Sequence, residues 1–159
     1  LAREYFTFLC DAEGEVEVVL GDGRIVLEQE LAGRTARPRY DVLIIDAFSG
    51  DAVPVHLLTL ESFELYSRAL APGGGVVLQV TNRHVGLERV VRGLGEATGL
   101  RALRLDQTPT EDSGGIRNSW MWLAAEGVPT PEGVDVTDPT GAASVLWTDD
   151  FSNLIGVLR

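Results

Sequence analysis

The stretch YDVLIIDAFSGDAVPVHLLTLESFELYSRALAPGGGVVLQV, residues 40–80, decides the fold. It contains two short apolar runs, which predict strands at 40–46 and 76–80. Their continuous apolar character is typical of strands that are buried on both faces of a parallel sheet. Between them, Thr59 is a suitable N-cap for a helix over 60–70, and a Pro-Gly-Gly-Gly run then ends that helix.

The segments on either side of this stretch also have clear patterns. Residues 15–20 (EVEVVL) alternate and then become apolar, which predicts a strand, whereas 24–31 fits either a short strand or a helical turn. Apolar residues at helical spacing predict a helix over 85–98, with Gly99 as its left-handed cap. The remaining predictions are strands at 100–105 and 119–124, a loop at 128–140, and a short helix at 149–158 that Asp149 and Asp150 cap.

Strands that alternate with helices through short connections indicate an α/β fold with a three-layer, mainly parallel sheet. The length of 159 residues suits a single domain over 1–159. The formal charge is −11 and the isoelectric point is about 4.5. Such a surface repels phosphate backbones, so nucleic acid is not an expected partner, whereas a cationic substrate would be attracted.

The single cysteine, Cys10, excludes an intrachain disulfide and a multi-cysteine zinc site. It fits a reducing compartment, and we expect a cytoplasmic protein. No apolar run reaches the ~18 residues of a membrane helix, so we expect no membrane contact by this chain. The sequence begins with Leu1 and its only methionine is Met121, which suggests a piece of a longer protein.

Two acidic residues follow predicted strands at their carboxyl ends, where open α/β sheets bind their ligands. Asp22 lies in a Gly-Asp-Gly turn after 15–20, and Asp46 ends the next strand. Each carboxylate could accept a hydrogen bond from a ligand or remove a proton, but Asp22 could equally shape its turn and Asp46 could cap backbone groups. A metal site of Asp46, Asp51 and His56 is a weaker alternative, and we expect no metal.

Residues 40–80 resemble the central segment of spermidine synthases, the polyamine aminopropyltransferases. In that family an apolar strand ends in a catalytic aspartate, and a loop with a second aspartate and a proline, a helix, a Pro-Gly-Gly turn and another strand follow. The preceding VEVVLGDGR resembles the adenine-side strand and Gly-Asp-Gly motif of the family. The tail WTDDFSNLIGVL is similar to that of bacterial spermidine synthase-like proteins, some of which are fused to membrane-spanning segments. The longer protein could therefore carry such segments.

The resemblance implies a Rossmann-like fold of the methyltransferase type, of which this chain is the C-terminal part. It implies decarboxylated S-adenosylmethionine or methylthioadenosine as the ligand, with no prosthetic group, and a small amine as the substrate. The implied cofactor-binding residues are Asp22, which would bond the adenine amino group, and its neighbours Gly21 and Gly23. Asp46 would orient and deprotonate the amine, with Asp51 as the second catalytic aspartate.

Gln79 would lie near the amine pocket, and Ser49 takes the position of the family's second aspartate in an ungapped match. The chain also departs from the family, because it has no counterpart of the tyrosine segment that closes the amine pocket. The family's glycine loop and ribose-binding acid would precede Leu1. Two other readings therefore stay open: an S-adenosylmethionine-dependent methyltransferase on the same sheet, and a non-catalytic binding or regulatory domain.

The family's strand order puts two further strands between 15–20 and 40–46. Without them the strand at 40–46 has an unpaired edge, which is a template for pairing with another strand. We expect either direct pairing of 15–20 with 40–46 or a homodimer that covers the edge.

The 159-residue chain by itself should bind adenosyl ligands weakly or not at all. The glycine loop and the ribose-binding acid each supply hydrogen bonds worth ~1–3 kcal/mol in such sites, and both are absent from this sequence. Calorimetric titration with methylthioadenosine measures this directly. A micromolar dissociation constant would contradict the prediction.

Overall fold

A computed structural model describes Thr7, Leu9 and residues 11–33, 40–47, 53–82, 84–107, 118–132, 135–139 and 143–158. Within these residues the chain forms three α-helices and five strands, together with two 3₁₀ turns. The helices are α1 (Gly23–Ala32), α2 (Leu60–Ala69) and α3 (Leu87–Thr98). The strands are β1 (Tyr40–Ile45), β2 (Leu70–Gln79), β3 (Arg101–Gln107), β4 (Asn118–Ala124) and β5 (Asp135–Thr137). The 3₁₀ turns are Val55–Leu57 and Ile155–Val157.

The strands form one sheet in the order β1-β2-β4-β3-β5, which confirms the α/β class and is consistent with a Rossmann-like fold. The sheet is mixed, however, and not mainly parallel. Only β1 and β2 pair in parallel, because β4 returns antiparallel between β2 and β3, and β5 is antiparallel to β3. The ten residues between β3 and β4 are fewer than the dozen or more that a parallel crossover needs. Strands β1, β2 and β3 still run in one direction, so their carboxyl ends lie at one edge.

Among the described residues, all three helices pack on the same face of the sheet. Val76, Leu78, Met121 and Leu123 of the sheet belong to one core cluster with the helix residues, all of them fully or almost fully buried. The alternate residues of β3 and β4 form a second, smaller cluster on the other face, around Trp122. The described residues therefore show two layers, and the expected third layer is not found among them.

Strand β1 is consequently buried on one face only, and the prediction that both faces are buried is wrong. Leu43 and Ile45 pack against the main core, whereas Val42 and Ile44 are 48% and 61% exposed. No described helix covers the face to which Val42 and Ile44 belong. A continuous apolar run thus does not by itself require two covered faces.

The predicted helix at 60–70 is confirmed as α2, but its end differs from the prediction. Thr59 accepts from the N–H of Ser62 as expected for an N-cap, and β2 begins at Leu70, directly after the helix. The glycines interrupt the β1–β2 pairing instead of stopping the helix, since the register shifts between Tyr40 and Val42. They are required by close approach: a Cβ on Gly74 would lie 2.6 Å from the Tyr40 carbonyl oxygen, and one on Gly75 would overlap the Trp122 ring.

Helix α3 and its cap also confirm the prediction, with a start two residues later than expected. Leu87, Val90, Val91 and Leu94 are completely buried, as the spacing predicted. Gly99 has φ 73°, and its N–H donates to the Gly95 carbonyl. The left-handed cap is thus a conformation that glycine adopts without strain.

Several predictions near the ends of the chain are corrected. Residues 15–20 form no strand and are exposed, and they pair with no described strand. The undecided segment 24–31 lies in helix α1. The predicted loop at 128–140 contains β5, and the predicted helix at 149–158 is only the 3₁₀ turn Ile155–Val157.

The expected direct pairing of 15–20 with β1 is therefore wrong. β1 ends the sheet order with one free edge, and β2 is its only strand partner among the described residues. The homodimer that would cover this edge stays a prediction. Within the described ranges no helix combines the length and apolar character that crossing a membrane demands.

Replacing Gly93 with alanine should destabilise the fold by about 1–3 kcal/mol, despite the higher helix propensity of alanine. A Cβ at this position would overlap the backbone of Val145, which is also held there by an N–H bond to the Arg89 carbonyl. Urea unfolding measures the free energy. Gly23→Ala is the control, because a Cβ there meets nothing within 4 Å. Equal stability of the two variants would contradict the packing of residue 145 on α3.

Candidate functional site

A cavity of about 340 Å³ lies between α1 and the free edge of β1. Its walls are mainly apolar and include Val26, Leu27 and Leu43. Two residues singled out from the sequence, Gly23 and Asp46, line it together. The volume lies within the range of small-molecule sites, and an apolar lining with few polar groups is their usual character.

Asp46 directly follows the last residue of β1 and is exposed. Ile45 pairs with Leu78 in the parallel register, so the next residues, Asp46 and Gln79, lie side by side at the carboxyl edge of the sheet. Gln79 is half-buried and is not among the described residues that line the cavity.

Asp22 is the N-cap of α1, whereas the structural alternative had assigned it only to the Gly-Asp-Gly turn. Its Oδ1 accepts from the N–H groups of Arg24 and Ile25 at 3.0 and 3.1 Å, and its Oδ2 lies 2.9 Å from Nε2 of His56. The hydrogen bond from Ile25 is the main cause that lowers the pKa of Asp22, and His56 adds to it. Both oxygens are thus engaged, although a carboxylate has about four acceptor positions and can accept a further donor.

Gly21 allows the turn before α1 to lie close to the helix. A Cβ on Gly21 would lie 2.9 Å from Cγ2 of Val26, a cavity-lining residue. Gly23 by contrast meets nothing within 4 Å, so its lack of a side chain leaves the cavity wall open. Of the Gly-Asp-Gly turn, Gly23 lines the same cavity as Asp46, whereas Gly21 and Asp22 are not among its lining residues.

Ser49 and Asp51 lie outside the described residues. His56, considered as a metal ligand with Asp46 and Asp51, is paired with Asp22. The described part of the chain contains no group of three or more histidine, cysteine or acidic residues that could hold a metal ion.

No sequence pattern indicates the polar cluster at the start of α1. The guanidinium of Arg24 donates to both carboxylate oxygens of Asp149, at 2.7 and 2.6 Å, and also to the carbonyl of His56 at 2.9 Å. Thr59 Oγ1 donates to Asp149 Oδ1 at 2.8 Å. Arg24 lowers the pKa of Asp149 to about 2, and Asp149 raises the pKa of Arg24. The expected role of Asp149 as the cap of a terminal helix is therefore wrong.

Two tyrosines supply further polar groups to the cavity wall. The hydroxyl of Tyr40 donates to Glu30 at 2.7 Å, and this hydrogen bond raises the pKa of Tyr40 to about 12. The hydroxyl of Tyr66 donates to the Leu57 carbonyl at 3.1 Å, and burial raises its pKa. Both phenols stay protonated at neutral pH and act as hydrogen-bonding groups, not as bases.

A second charged network lies where β3 ends and β4 begins. Arg104 donates to Glu88 and Asp106, each at 2.8 Å, and to Ser119 at 3.2 Å. Ser119 in turn donates to Asp106 at 2.9 Å. The arginine is thereby neutralised within the network, which joins α3 to the sheet.

No protein-family model matches the chain, and no curated protein matches it. Among solved structures, the chain is similar to a probable spermidine synthase from Corynebacterium glutamicum ATCC 13032, with 24% sequence identity and a TM-score of 0.46. The similarity covers 68% of this chain and 37% of that one, so the chain spans little more than a third of the length of the spermidine synthase. At this identity and TM-score the likeness assigns neither a ligand nor an activity.

The ion pair of Asp149 should make stability depend on pH in a defined window. Its pKa of about 2 lies below the 3.8 of an unpaired aspartate, so the pair stabilises the fold fully above about pH 3.8 and the contribution is lost as the pH falls towards 2. Asp149→Asn should lower the free energy of unfolding by roughly 0.5–1 kcal/mol near neutral pH, a modest value because the side chain is 41% exposed. The difference from wild type should shrink across that window.

Urea unfolding at a series of pH values measures both free energies. Asp150→Asn is the matched control, since the Asp150 side chain has no ion pair or hydrogen bond among the described residues. A difference between wild type and Asp149→Asn that is the same at every pH would exclude the ion pair as its cause.

Proposed function

We propose that the chain contributes the acceptor side of an aminopropyltransferase-like site of the spermidine synthase type. The observation that carries the proposal is that Gly23 and Asp46 line one cavity. One belongs to the Gly-Asp-Gly turn to which the resemblance assigns the adenine, and the other is the aspartate to which it assigns the amine. The two lie 23 residues apart in sequence and meet only through the fold.

The geometry around the cavity supports an adenosyl ligand. Asp22 directly precedes Gly23, which lines the cavity, and its carboxylate retains acceptor capacity for an adenine amino group. The apolar side chains of Val26 and Leu43 offer a surface for the planar base. The methylene next to the sulfonium of decarboxylated S-adenosylmethionine would then face Asp46.

The proposal assigns Asp46 the role of general base, because it lines the cavity and a carboxylate can accept a proton. A neutral amine attacks the methylene next to the sulfonium, the carbon–sulfur bond breaks, and methylthioadenosine leaves with the electron pair. The proton that the attacking nitrogen loses passes to the Asp46 carboxylate. Gln79, beside Asp46 in the register, is available to hydrogen-bond the amine. The net charge of −11 favours the approach of a cationic amine.

One observation favours a second candidate, a non-catalytic binding or regulatory domain. Both oxygens of Asp22 already serve the N-cap and His56, which is a sufficient structural role without any ligand. Under this alternative, the complete protein would transfer no aminopropyl group even with Asp46 intact. Turnover of the unaltered protein therefore separates the two candidates.

Asp46→Asn should reduce aminopropyl transfer by the complete protein about 10²–10⁴-fold while methylthioadenosine binding is largely retained. Asparagine keeps the shape of aspartate but cannot accept the proton. Turnover is measured with decarboxylated S-adenosylmethionine and a panel of amines, and affinity by calorimetry. The control is Asp41→Asn, because Asp41 is an exposed carboxylate of the same strand that does not line the cavity.

Asp22→Ala in the same protein should weaken methylthioadenosine binding, since its proposed contact is made in the ground state. Near-normal turnover by Asp46→Asn would remove Asp46 as the base, and an unchanged affinity of Asp22→Ala would remove Asp22 from the site. Methyl transfer from S-adenosylmethionine without aminopropyl transfer would favour the methyltransferase reading instead.

A further inference from the structure

The side chain of Arg24 joins three parts of the chain that are far apart in sequence. It lies on the first turn of α1, and its donors reach the carbonyl of His56 and both carboxylate oxygens of Asp149. Residue 149 is 125 positions away from residue 24 along the chain. Only 16% of the Arg24 side chain is exposed. A planar guanidinium that donates to both oxygens of a carboxylate fixes its orientation as well as its distance.

Asp149 is itself held in place from both sides. Its backbone N–H donates to Glu61 at 2.9 Å, and its Oδ1 accepts from Thr59, the N-cap of α2. Two residues earlier, Trp147 is completely buried in the main core, and its carbonyl accepts from the N–H of Leu60 at 2.9 Å. The Asp149 carboxylate is therefore held in one position by residues at the start of α2.

Arg24, which Asp149 binds, and His56, which Arg24 binds, are both adjacent to residues of the cavity wall. Arg24 follows Gly23, which lines the cavity, and His56 precedes Leu57, which lines it from the other side. The carbonyl of His56 also accepts from Ser62 of α2 at 2.5 Å. The Asp149 carboxylate thus bonds the start of α1 and the start of α2, and the His56 carbonyl joins the turn Val55–Leu57 to both.

We propose that Asp149 is a positioning residue of this cavity, which through Arg24 holds the Asp22–Gly23 turn at its distance from the Val55–Leu57 turn. Asp149 touches no ligand in this role. It sets the position of the wall to which a ligand would bind. The consequence for adenosyl ligands rests on the proposed function, whereas the consequence for α1 does not.

A general contribution to stability would have a different signature from positioning. If the ion pair only stabilised the whole fold, its loss would accelerate amide exchange through global unfolding, in α1 and in the central strands alike. If it positions α1, its loss opens the first turns of α1 locally and leaves the sheet protected. The low pKa of Asp149 is consistent with a pair that stays closed over the physiological range.

The test compares Asp149→Asn, Asp149→Glu and the control Asp150→Asn by amide exchange of the full chain near neutral pH. In Asp149→Asn, exchange at Ile25, Val26 and Leu27 should accelerate about three- to tenfold more than exchange in β4, where the loss of global stability alone gives at most about two- to fivefold. Asp149→Glu should restore part of the protection, and Asp150→Asn should match wild type. Equal acceleration in α1 and β4, or no change in α1, would overturn the inference.

A second measurement tests whether the positioning role of Asp149 affects ligand binding. In the complete protein, Asp149→Asn should raise the KM for decarboxylated S-adenosylmethionine about three- to tenfold with kcat nearly unchanged, because only the wall moves. If Asp149→Asn shows faster α1 exchange but no variant binds methylthioadenosine, the positioning role of Asp149 is retained and the proposed function is refuted. If Asp46→Asn loses activity but Asp149→Asn has an unchanged KM and unchanged α1 exchange, the proposed function is retained and the positioning role of Asp149 is refuted.

Discussion

The parallel pairing of β1 with β2 is the interaction on which the rest of the structure depends. A parallel pair needs a crossover, and α2 provides it on the covered face, where Phe63 and Tyr66 are buried against the sheet. The same pairing sets Asp46 beside Gln79 at the carboxyl edge. It also leaves the other edge of β1 unpaired among the described strands, and the cavity lies along that edge next to α1.

The apolar core positions α2 and α3 on the sheet, and charge pairing contributes to the position of α1. The core fixes α2 and α3 on the sheet, but α1 contributes only Leu27 and Leu31 to it. The position of α1 relies in addition on polar contacts at its first turn, where Asp22 caps the helix and Arg24 reaches Asp149. A helix with so small a buried face is sensitive to the loss of a single ion pair, which is why the tail of the chain matters to a cavity formed by its first half.

The candidate site combines residues that sequence patterns identify with others that they do not. Asp22 and Asp46 stand out because each follows an apolar run, whether or not that run becomes a strand. Residues 15–20 form none, and Asp22 instead begins a helix. Its cap geometry follows from an aspartate placed before helical residues, which is a local property. Arg24 and Asp149 have no such local pattern, because the contact that gives them a role spans 125 positions.

The sequence by itself determined the α/β class, the strands at β1 and β4, and helices α2 and α3 with their caps. These follow from periodicity and cap chemistry, which act over a few residues. The antiparallel return of β4 was not predicted, because the predicted strands leave 13 residues between them, whereas the observed strands leave ten, too few for a parallel crossover. Only the tertiary structure decided that 15–20 lacks a strand partner, that β1 has one exposed face, and that Asp149 binds an arginine instead of capping a helix. Those outcomes depend on which segments pack together in space, and local sequence patterns do not specify contacts between residues that are far apart in the chain.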